Sequence, residues 1–212
     1  MKSSENRFKT SSNPKGVASH VFILSAPSGG GKNTVIKRLM TKDQDLQYIV
    51  SATSRNPRKG EVNGRDYHFL SEETFEEMIR SNAFVEWAKV YDRYYGTLKK
   101  EVNDVLHAGK DGVMDVDVQG ALALRQKLKT SVLIFLLPPS LAVLEARLRQ
   151  RKTESEEEIV KRMQKVREEI AYADYYDYQI INQDLDSTVE SIEAIIKEHK
   201  QKRSMPNDRY FD

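Results

Sequence analysis

The sequence predicts an α/β fold in which helices cover both faces of a parallel sheet. Three observations carry that prediction. Short apolar runs alternate with helical patterns along most of the chain, and strands that alternate with helices form parallel sheets through crossover connections. The first apolar run opens into a glycine-rich loop that leads directly into a helical pattern. One stretch, residues 55–97, breaks the rhythm and is rich in Gly, Tyr, Asp and Arg, which marks a small β-rich insertion against the main sheet.

Taken in order, residues 1–19 are polar with scattered apolar side chains, too few to offset ordering entropy, and are expected to be a disordered tail. Its basic charge comes from Lys2, Lys9 and Lys15 with a single Arg7, unlike an Arg-rich transit peptide. Residues 20–24 are a buried strand closed by the turn formers of 25–31. A helix begins at about Lys32, where Val35, Ile36 and Leu39 recur at helical spacing among Lys and Arg. Further strands are expected at 48–51, 113–117, 131–137 and 178–181. Helices are expected at 101–108, 119–127, 141–150, 156–173 and 187–200. Within the irregular stretch, 66–70 alternates like a strand, and 201–212 forms a C-terminal end.

Composition sets the outer limits. The 212 residues suit one domain with an embellishment or two small ones. Lys and Arg number 34 against 32 Asp and Glu, for a net charge of +2, which gives no reason to expect a nucleic-acid or membrane partner. Cysteine is absent, so disulfides, thiolate metal sites and Cys nucleophiles are excluded. No apolar run approaches the roughly 18 residues of a membrane span, and the N-terminus lacks a signal-peptide core. A cytoplasmic protein is the expectation.

The segment Ala26-Pro27-Ser28-Gly29-Gly30-Gly31-Lys32-Asn33-Thr34 resembles the phosphate-binding pattern G-x-x-x-x-G-K-[ST], whose backbone N–H groups cradle phosphates while the Lys reaches the β- and γ-phosphates. Two fixed positions depart from it. Ala26 replaces the first Gly, which is tolerable if its φ stays negative. Asn33 replaces the hydroxyl that ligates Mg²⁺; its amide oxygen is a hard ligand but longer and neutral, so the ion would shift or bind through water. The plainer reading is a glycine-rich strand-to-helix turn. A preceding strand, a following helix and Lys32 at their junction favour the phosphate loop.

Arg55-Asn-Pro-Arg58 places two guanidinium groups in a loop stiffened by Pro57, and such forks match phosphate oxygens. Standing alone they would read as solvated loop arginines. The run from Ser51 through Arg55, Arg58 and Tyr67, then Glu86-Trp87, Tyr94-Tyr95-Gly96-Thr97 and Asp115-Val-Asp117-Val-Gln119-Gly120, resembles the guanylate kinase family in order and spacing. The resemblance spans residues 20 to about 200. It implies a P-loop NTPase three-layer fold with a parallel-sheet core, a GMP-binding insertion over about 52–98 and a helical lid over about 147–168.

The family's pattern implies roles residue by residue. Glu86 would bind guanine, since an ionised carboxylate accepts from both N1–H and the 2-amino group. Ser51 and Thr97 would touch the base. Arg55, Arg58, Tyr67 and Tyr95 would hold the GMP phosphate, although tyrosines of this kind also occur as core aromatics with a satisfied hydroxyl. Asp115 and Asp117, two apart on one expected strand, face the same side near its carboxyl end. Asp117 would approach GMP and Asp115 the metal and the arginines; the alternative is that both cap the following helix. Arg151 and Arg162 would close on the transferring phosphoryl group, with Arg147 nearby and Asn182 on the adenine side.

The basic-to-acidic run from Arg147 to Glu158 also reads simply as charge matched to two helix ends. The implied reaction is ATP + GMP giving ADP + GDP, with dGMP as a further acceptor, Mg²⁺ accompanying ATP, and Lys32, Arg55, Arg151 and Arg162 as the catalytic cations. Two rivals stand beside it. One is a catalytically lost interaction module of the same fold, for which Asn33 is the only argument. The other is a P-loop kinase for a different monophosphate.

Overall fold

Five consecutive apolar or small residues, Val21–Ser25, form β1, and all five are buried. The structure is a computed structural model and describes residues 19–90, 92–150 and 156–202. Of the tail expected at 1–19, residues 1–18 lie outside the described residues, as do residues 203–212 of the C-terminal end expected at 201–212. Ser19 is described and, contrary to the expectation of a disordered tail, is fully buried just before β1.

From β1 the chain passes through the glycine-rich loop into α1 (Lys32–Lys42) and then β2 (Leu46–Tyr48). A second unit follows: β3 (Ala52–Thr53), β4 (His68–Phe69), α2 (Glu72–Arg80), β5 (Phe84–Val90) and β6 (Arg93–Leu98). The core resumes with α3 (Lys99–His107), β7 (Asp111–Asp115), α4 (Val118–Lys127), β8 (Ser131–Leu137), α5 (Leu141–Gln150), α6 (Glu156–Ile170), a 3₁₀ turn at Ala173–Tyr175, β9 (Tyr178–Ile181) and α7 (Leu185–Gln201).

The core sheet has the order β2-β7-β1-β8-β9, and every pairing in it is parallel. Alternation along β1 explains its two faces, because successive side chains on a strand point to opposite sides. Val21 and Ile23 join Val102, Leu106, Leu124 and Leu133 on the side of α3 and α4. Phe22 and Leu24 join Val35, Leu39, Val189 and Ile192 on the side of α1 and α7. Leu24 stands opposite Asp115 on one side and Ile134 on the other, so the loop after β1 and the end of β7 open at the same carboxyl edge. That edge is where α/β sheets bind ligands.

The insertion is a four-stranded sheet of order β4-β3-β6-β5 with its own small core of Ala52, Phe75, Phe84 and Leu98. It is β-rich, as the sequence predicts, but it also contains the helix α2, which the sequence pattern does not predict. Ser71 starts that helix by accepting from the Thr74 N–H, a cap that satisfies one of the free N–H groups of the first turn. Phe75 then stacks on Phe84 at 4.3 Å between centroids. Helices α5 and α6 share a third cluster, Leu144 and Leu148 against Ile159, Met163 and Val166.

Of the boundaries that differ from expectation, three have an evident physical reason. Residues 48–51 are not one strand: β2 ends at Tyr48, the Ile49 N–H still bonds the Val113 carbonyl, and the chain then leaves the core so that Ala52 pairs with Gly96 and His68. Burial at the junction of two sheets produced the apolar run. The strand expected at 113–117 runs Asp111–Asp115, begun by buried Asp111, which accepts from the His20 N–H at 2.9 Å, and ended because Asp117 caps α4. The helix expected at 156–173 stops at Ile170 and gives way to the 3₁₀ turn. Among the described residues no helix is long and apolar enough to cross a membrane.

Candidate functional site

The loop after β1 has the backbone its glycines allow. Gly29 and Gly31 adopt φ of +85° and +86°, the left-handed region that excludes most side chains. Ala26 is absent from the positive-φ residues, so alanine is tolerated at the first position of the pattern. Its methyl group has a consequence at Gly30, where a Cβ would lie 2.7 Å from the Ala26 Cβ and 2.9 Å from the Pro27 carbonyl. Gly31 is the residue before α1 and provides no side-chain cap, which leaves the first N–H groups of the helix available to an anion.

Lys32 Nζ donates to the Ala26 carbonyl at 2.9 Å, folding the side chain back over its own loop. Burial holds its pKa below that of an ordinary lysine, against the opposing pull of Asp115, Glu169 and Asp117. Three carboxylates from β7, the start of α4 and the end of α6 thus face one ammonium.

Beside the loop lies a cavity of 380 Å³ lined by Lys32, Ser51, Tyr67, Glu86, Tyr95, Asp115, Asp117, Gly120 and Glu169, among others. It brings together residues predicted for both nucleotides. Glu86, on β5, is 7% exposed and accepts from the Thr97 hydroxyl at 2.7 Å. Burial raises its pKa, with the Thr97 hydrogen bond opposing. The first turn of α4 approaches it closely: a Cβ on Gly120 would come within 3.6 Å of Glu86 Oε2 and 3.3 Å of Asp117 Oδ1. Thr97, expected to touch the base, instead donates to Glu86 and does not line the cavity, whereas Ser51 does.

Asp117 corrects an expectation. It does not share a strand with Asp115; it is the N-cap of α4, with Oδ1 accepting from the Gly120 N–H at 2.8 Å. Asp115, the last residue of β7, accepts from the Tyr48 hydroxyl at 2.7 Å. Both carboxylates still border the cavity. Burial pushes the Tyr48 hydroxyl well above an ordinary tyrosine pKa and the Tyr67 hydroxyl up to about 12, so each stays protonated as a donor.

A second cavity, 570 Å³, separates α1 from the insertion and is lined by Asn33, Tyr48, Glu61, Asp66, Tyr67 and Asp115, among others. Asn33 is exposed at the start of α1 and so shares a cavity with Asp115. Thr34, next along the helix, is also exposed and lines neither cavity.

The arginines are less gathered than the sequence implied. Arg55 faces Tyr67 and Phe69, its guanidinium carbon 5.3 and 5.6 Å from the ring centroids, and is held by Glu61. Arg58 is exposed, and its backbone N–H donates to Glu61 at 2.6 Å. Arg162 lies on α6, half-buried and away from the lining of both cavities. Arg151 and the Arg147 side chain lie outside the described residues. Asn182, expected near adenine, is buried with its amide NH₂ on the Gly30 carbonyl at 2.7 Å.

Two contributors carry little signal in the sequence. Glu61 sits in the same loop as the arginines, and its signal was the Pro-Arg-Lys-Gly-Glu turn. Glu169 reaches the loop from the far end of α6, its Oε2 3.4 Å from the Ser28 N–H that donates to it. As one of a Glu pair on a charged helix it carried no signal.

Known proteins agree with this architecture. The guanylate kinase family model matches residues 18–199. The chain is 48% identical over 191 residues to a guanylate kinase of Caldanaerobacter subterraneus subsp. tengcongensis, covering 90% of this chain and 93% of that one. It is 44% identical over 189 residues to one of Carboxydothermus hydrogenoformans, covering 89% and 93%. The crystal structure of guanylate kinase from Anaplasma phagocytophilum superposes with a TM-score of 0.73 at 30% identity, over 89% of each chain.

Proposed function

The chain belongs to the guanylate kinase family, and from that premise we propose that the 380 Å³ cavity is its GMP site and the adjoining glycine-rich loop its ATP site. The reaction is transfer of the γ-phosphoryl group of ATP to GMP, giving ADP and GDP. The observation that carries the site assignment is Glu86. A buried carboxylate, fixed by Thr97 and facing the same cavity as Lys32, is matched by the two adjacent donors of guanine. Adenine lacks both, and sites built on such hydrogen bonds reject the wrong analogue by roughly 10⁴-fold.

In this reading Ser51 lies beside the base, and Tyr67, Tyr95 and Arg55 surround the acceptor phosphate, with Arg58 reaching it from the rim. Lys32 releases the Ala26 carbonyl to take a donor phosphate oxygen, and the N–H groups of the loop and of α1 hold the others. Glu169 must yield the Ser28 N–H when phosphate arrives. The lid arginines 147, 151 and 162 act on the migrating group after closure. Little covalent chemistry is left to the protein, because phosphoryl transfer runs through a loose transition state and the attacking oxygen is already an anion. Alignment and charge stabilisation do the rest.

Mg²⁺ fits the residues present. Asn33 offers an amide oxygen and Asp115 a carboxylate to the same cavity, both hard oxygen donors, and Mg²⁺ typically takes only one or two protein ligands beside phosphates and water. When bound with ATP it neutralises charge on the phosphates. The substrates are small nucleotides, with neither nucleic acid nor membrane as partner, and the reading assigns the protein to the cytoplasm, where those nucleotides are.

The test is ADP release from ATP and Mg²⁺ with GMP, dGMP, AMP, UMP or CMP as acceptor, beside a Lys32→Ala control. GMP is expected to lead. AMP turnover comparable to GMP would remove the role given to Glu86, and wild-type release no faster than the control would remove the reading altogether.

A further inference from the structure

Asn182 follows β9 directly, and its own N–H is anchored to the Leu137 carbonyl at 2.7 Å. The side chain therefore projects from a fixed point at the edge of the core sheet. Its orientation is unambiguous: the Gly30 carbonyl can only accept, so the NH₂ must face it, at 2.7 Å. Oδ1 then faces Thr188 of α7, whose hydroxyl lies 3.1 Å away and shares its single proton with the Asp184 carbonyl at 2.6 Å. Asn182 and Thr188 are 7% and 1% exposed. This is a buried chain of polar contacts that runs from α7 to the glycine-rich loop.

The contact has a directional consequence. No peptide bond among the described residues is cis, and in a planar trans peptide the C=O and the following N–H point in opposite directions. Fixing the Gly30 carbonyl toward Asn182 turns the Gly31 N–H the other way. Space is as tight as the hydrogen bond is short, since a Cβ on Gly31 would lie 2.9 Å from Asn182 Nδ2. Between the left-handed glycines Gly29 and Gly31, the Gly30 N–H is held by the Pro27 carbonyl at 2.8 Å, and the Gly30 carbonyl by Asn182.

We propose that Asn182 is a positioning residue for the phosphate loop: by gripping the outward carbonyl of Gly30, and being itself held by Thr188, it keeps the Gly31 N–H aimed at the donor phosphates. The role rests on the ATP-site reading above and differs from contact with adenine. It predicts that loss of Asn182 weakens any ligand by way of its phosphates, whether or not a base is attached.

The experiment measures affinity for inorganic tripolyphosphate, ADP and GMP by calorimetry in wild type, Asn182→Ala, Thr188→Val and Thr188→Ser. Asn182→Ala is expected to weaken tripolyphosphate and ADP alike, roughly 5- to 50-fold for a buried carbonyl left without its donor, with GMP within about 2-fold of wild type. Thr188→Val, which leaves Asn182 in place, gives a smaller loss in the same direction, and Thr188→Ser restores it. A loss confined to ADP would assign Asn182 to adenine and overturn the proposal. So would unchanged tripolyphosphate affinity in Asn182→Ala or, should that variant fail to fold, in Thr188→Val. Wild type that binds tripolyphosphate but does not phosphorylate GMP would instead count against the assigned reaction.

Discussion

Glu61 holds the guanidinium of Arg55 with both carboxylate oxygens, at 2.8 Å from Nη1 and 3.0 Å from Nη2. The two side chains are only 15% and 20% exposed, so the pair is less screened than a surface ion pair and is bidentate as well. The hydrogen bond from Arg55 is the main reason the Glu61 carboxyl is held below the usual carboxylate range. The pair fixes one edge of the guanidinium, Nη1 also donates to the Asn56 carbonyl, and in the proposed reading the remaining donors take the acceptor phosphate. Glu61→Gln is expected to raise KM for GMP by roughly 10-fold with kcat within about 3-fold, as befits loss of a charge-assisted hydrogen bond. Steady-state kinetics with varied GMP checks it. An unchanged KM would mean that the rings of Tyr67 and Phe69 suffice to orient Arg55.

With Glu86 as the proposed guanine acceptor, recognition is tied to pH. The Glu86 pKa is raised by burial, and only the ionised form accepts from both guanine donors. The value of kcat/KM for GMP should therefore fall as pH drops through a point above the ordinary glutamate value. Thr97→Val removes a hydrogen bond that favours the ionised form and should move that limb further up. Stability has the opposite sign. The folded state binds this proton more tightly than the unfolded chain, so Glu86 costs stability increasingly as pH rises from about 4.5 through its folded pKa. Glu86→Gln should melt higher than wild type at pH 8, with the gain fading at pH 4. The same variant should lose roughly 10- to 150-fold in kcat/KM for GMP.

The parts of this architecture that were legible in the sequence are those whose signal is local. The strand–loop–helix at residues 21–42 was readable because burial, glycine and Lys32 are consecutive. Helices α5 and α6 were readable because their apolar residues recur at helical spacing and carboxylates gather at the start of α6. Helix α2 was not, because its core partners Ala52, Phe84 and Leu98 come from three separate strands and its surface is almost all charged. Within the site, Asp117 as a cap was one of two readings the sequence allowed, since cap and N–H are three residues apart. The contact of Asn182 with Gly30 spans 152 positions and that of Glu169 with Ser28 spans 141. No spacing within the chain announces either one.

Asn33 is the departure in the glycine-rich loop that is expected to weaken nucleotide binding through the metal. Its amide oxygen is carried one atom further from the backbone than a hydroxyl at the start of α1, and Mg²⁺ demands near-ideal octahedral placement. Asn33→Ser is expected to tighten ADP binding in the presence of Mg²⁺ by roughly 3- to 10-fold, with no change when Mg²⁺ is replaced by a chelator. Calorimetric titration of ADP under both conditions checks it. Equal affinities for wild type and Asn33→Ser would show that the amide serves the ion as well as a hydroxyl does.

Asp117 has two duties that a pair of substitutions separates. As N-cap of α4 it accepts from the Gly120 N–H, and Asn caps a helix about as well as Asp. Asp117→Ala should therefore lose about 1 kcal/mol of stability, while Asp117→Asn should lose only about 0.3–1 kcal/mol through the weakened interaction with the helix dipole. As a carboxylate it faces the cavity, supports the charge on Lys32 and raises the pKa of Glu86. Both variants should consequently lower kcat/KM for GMP, by roughly 10-fold or more if a charge-assisted contact is lost. Both should also shift the acid limb of the GMP profile downward, because Glu86 is relieved of a like charge. Urea unfolding and pH–rate profiles of the two variants decide the matter. If Asp117→Asn keeps wild-type turnover and an unshifted limb, Asp117 is a cap alone; if it keeps stability but loses turnover, the carboxylate belongs to the reaction.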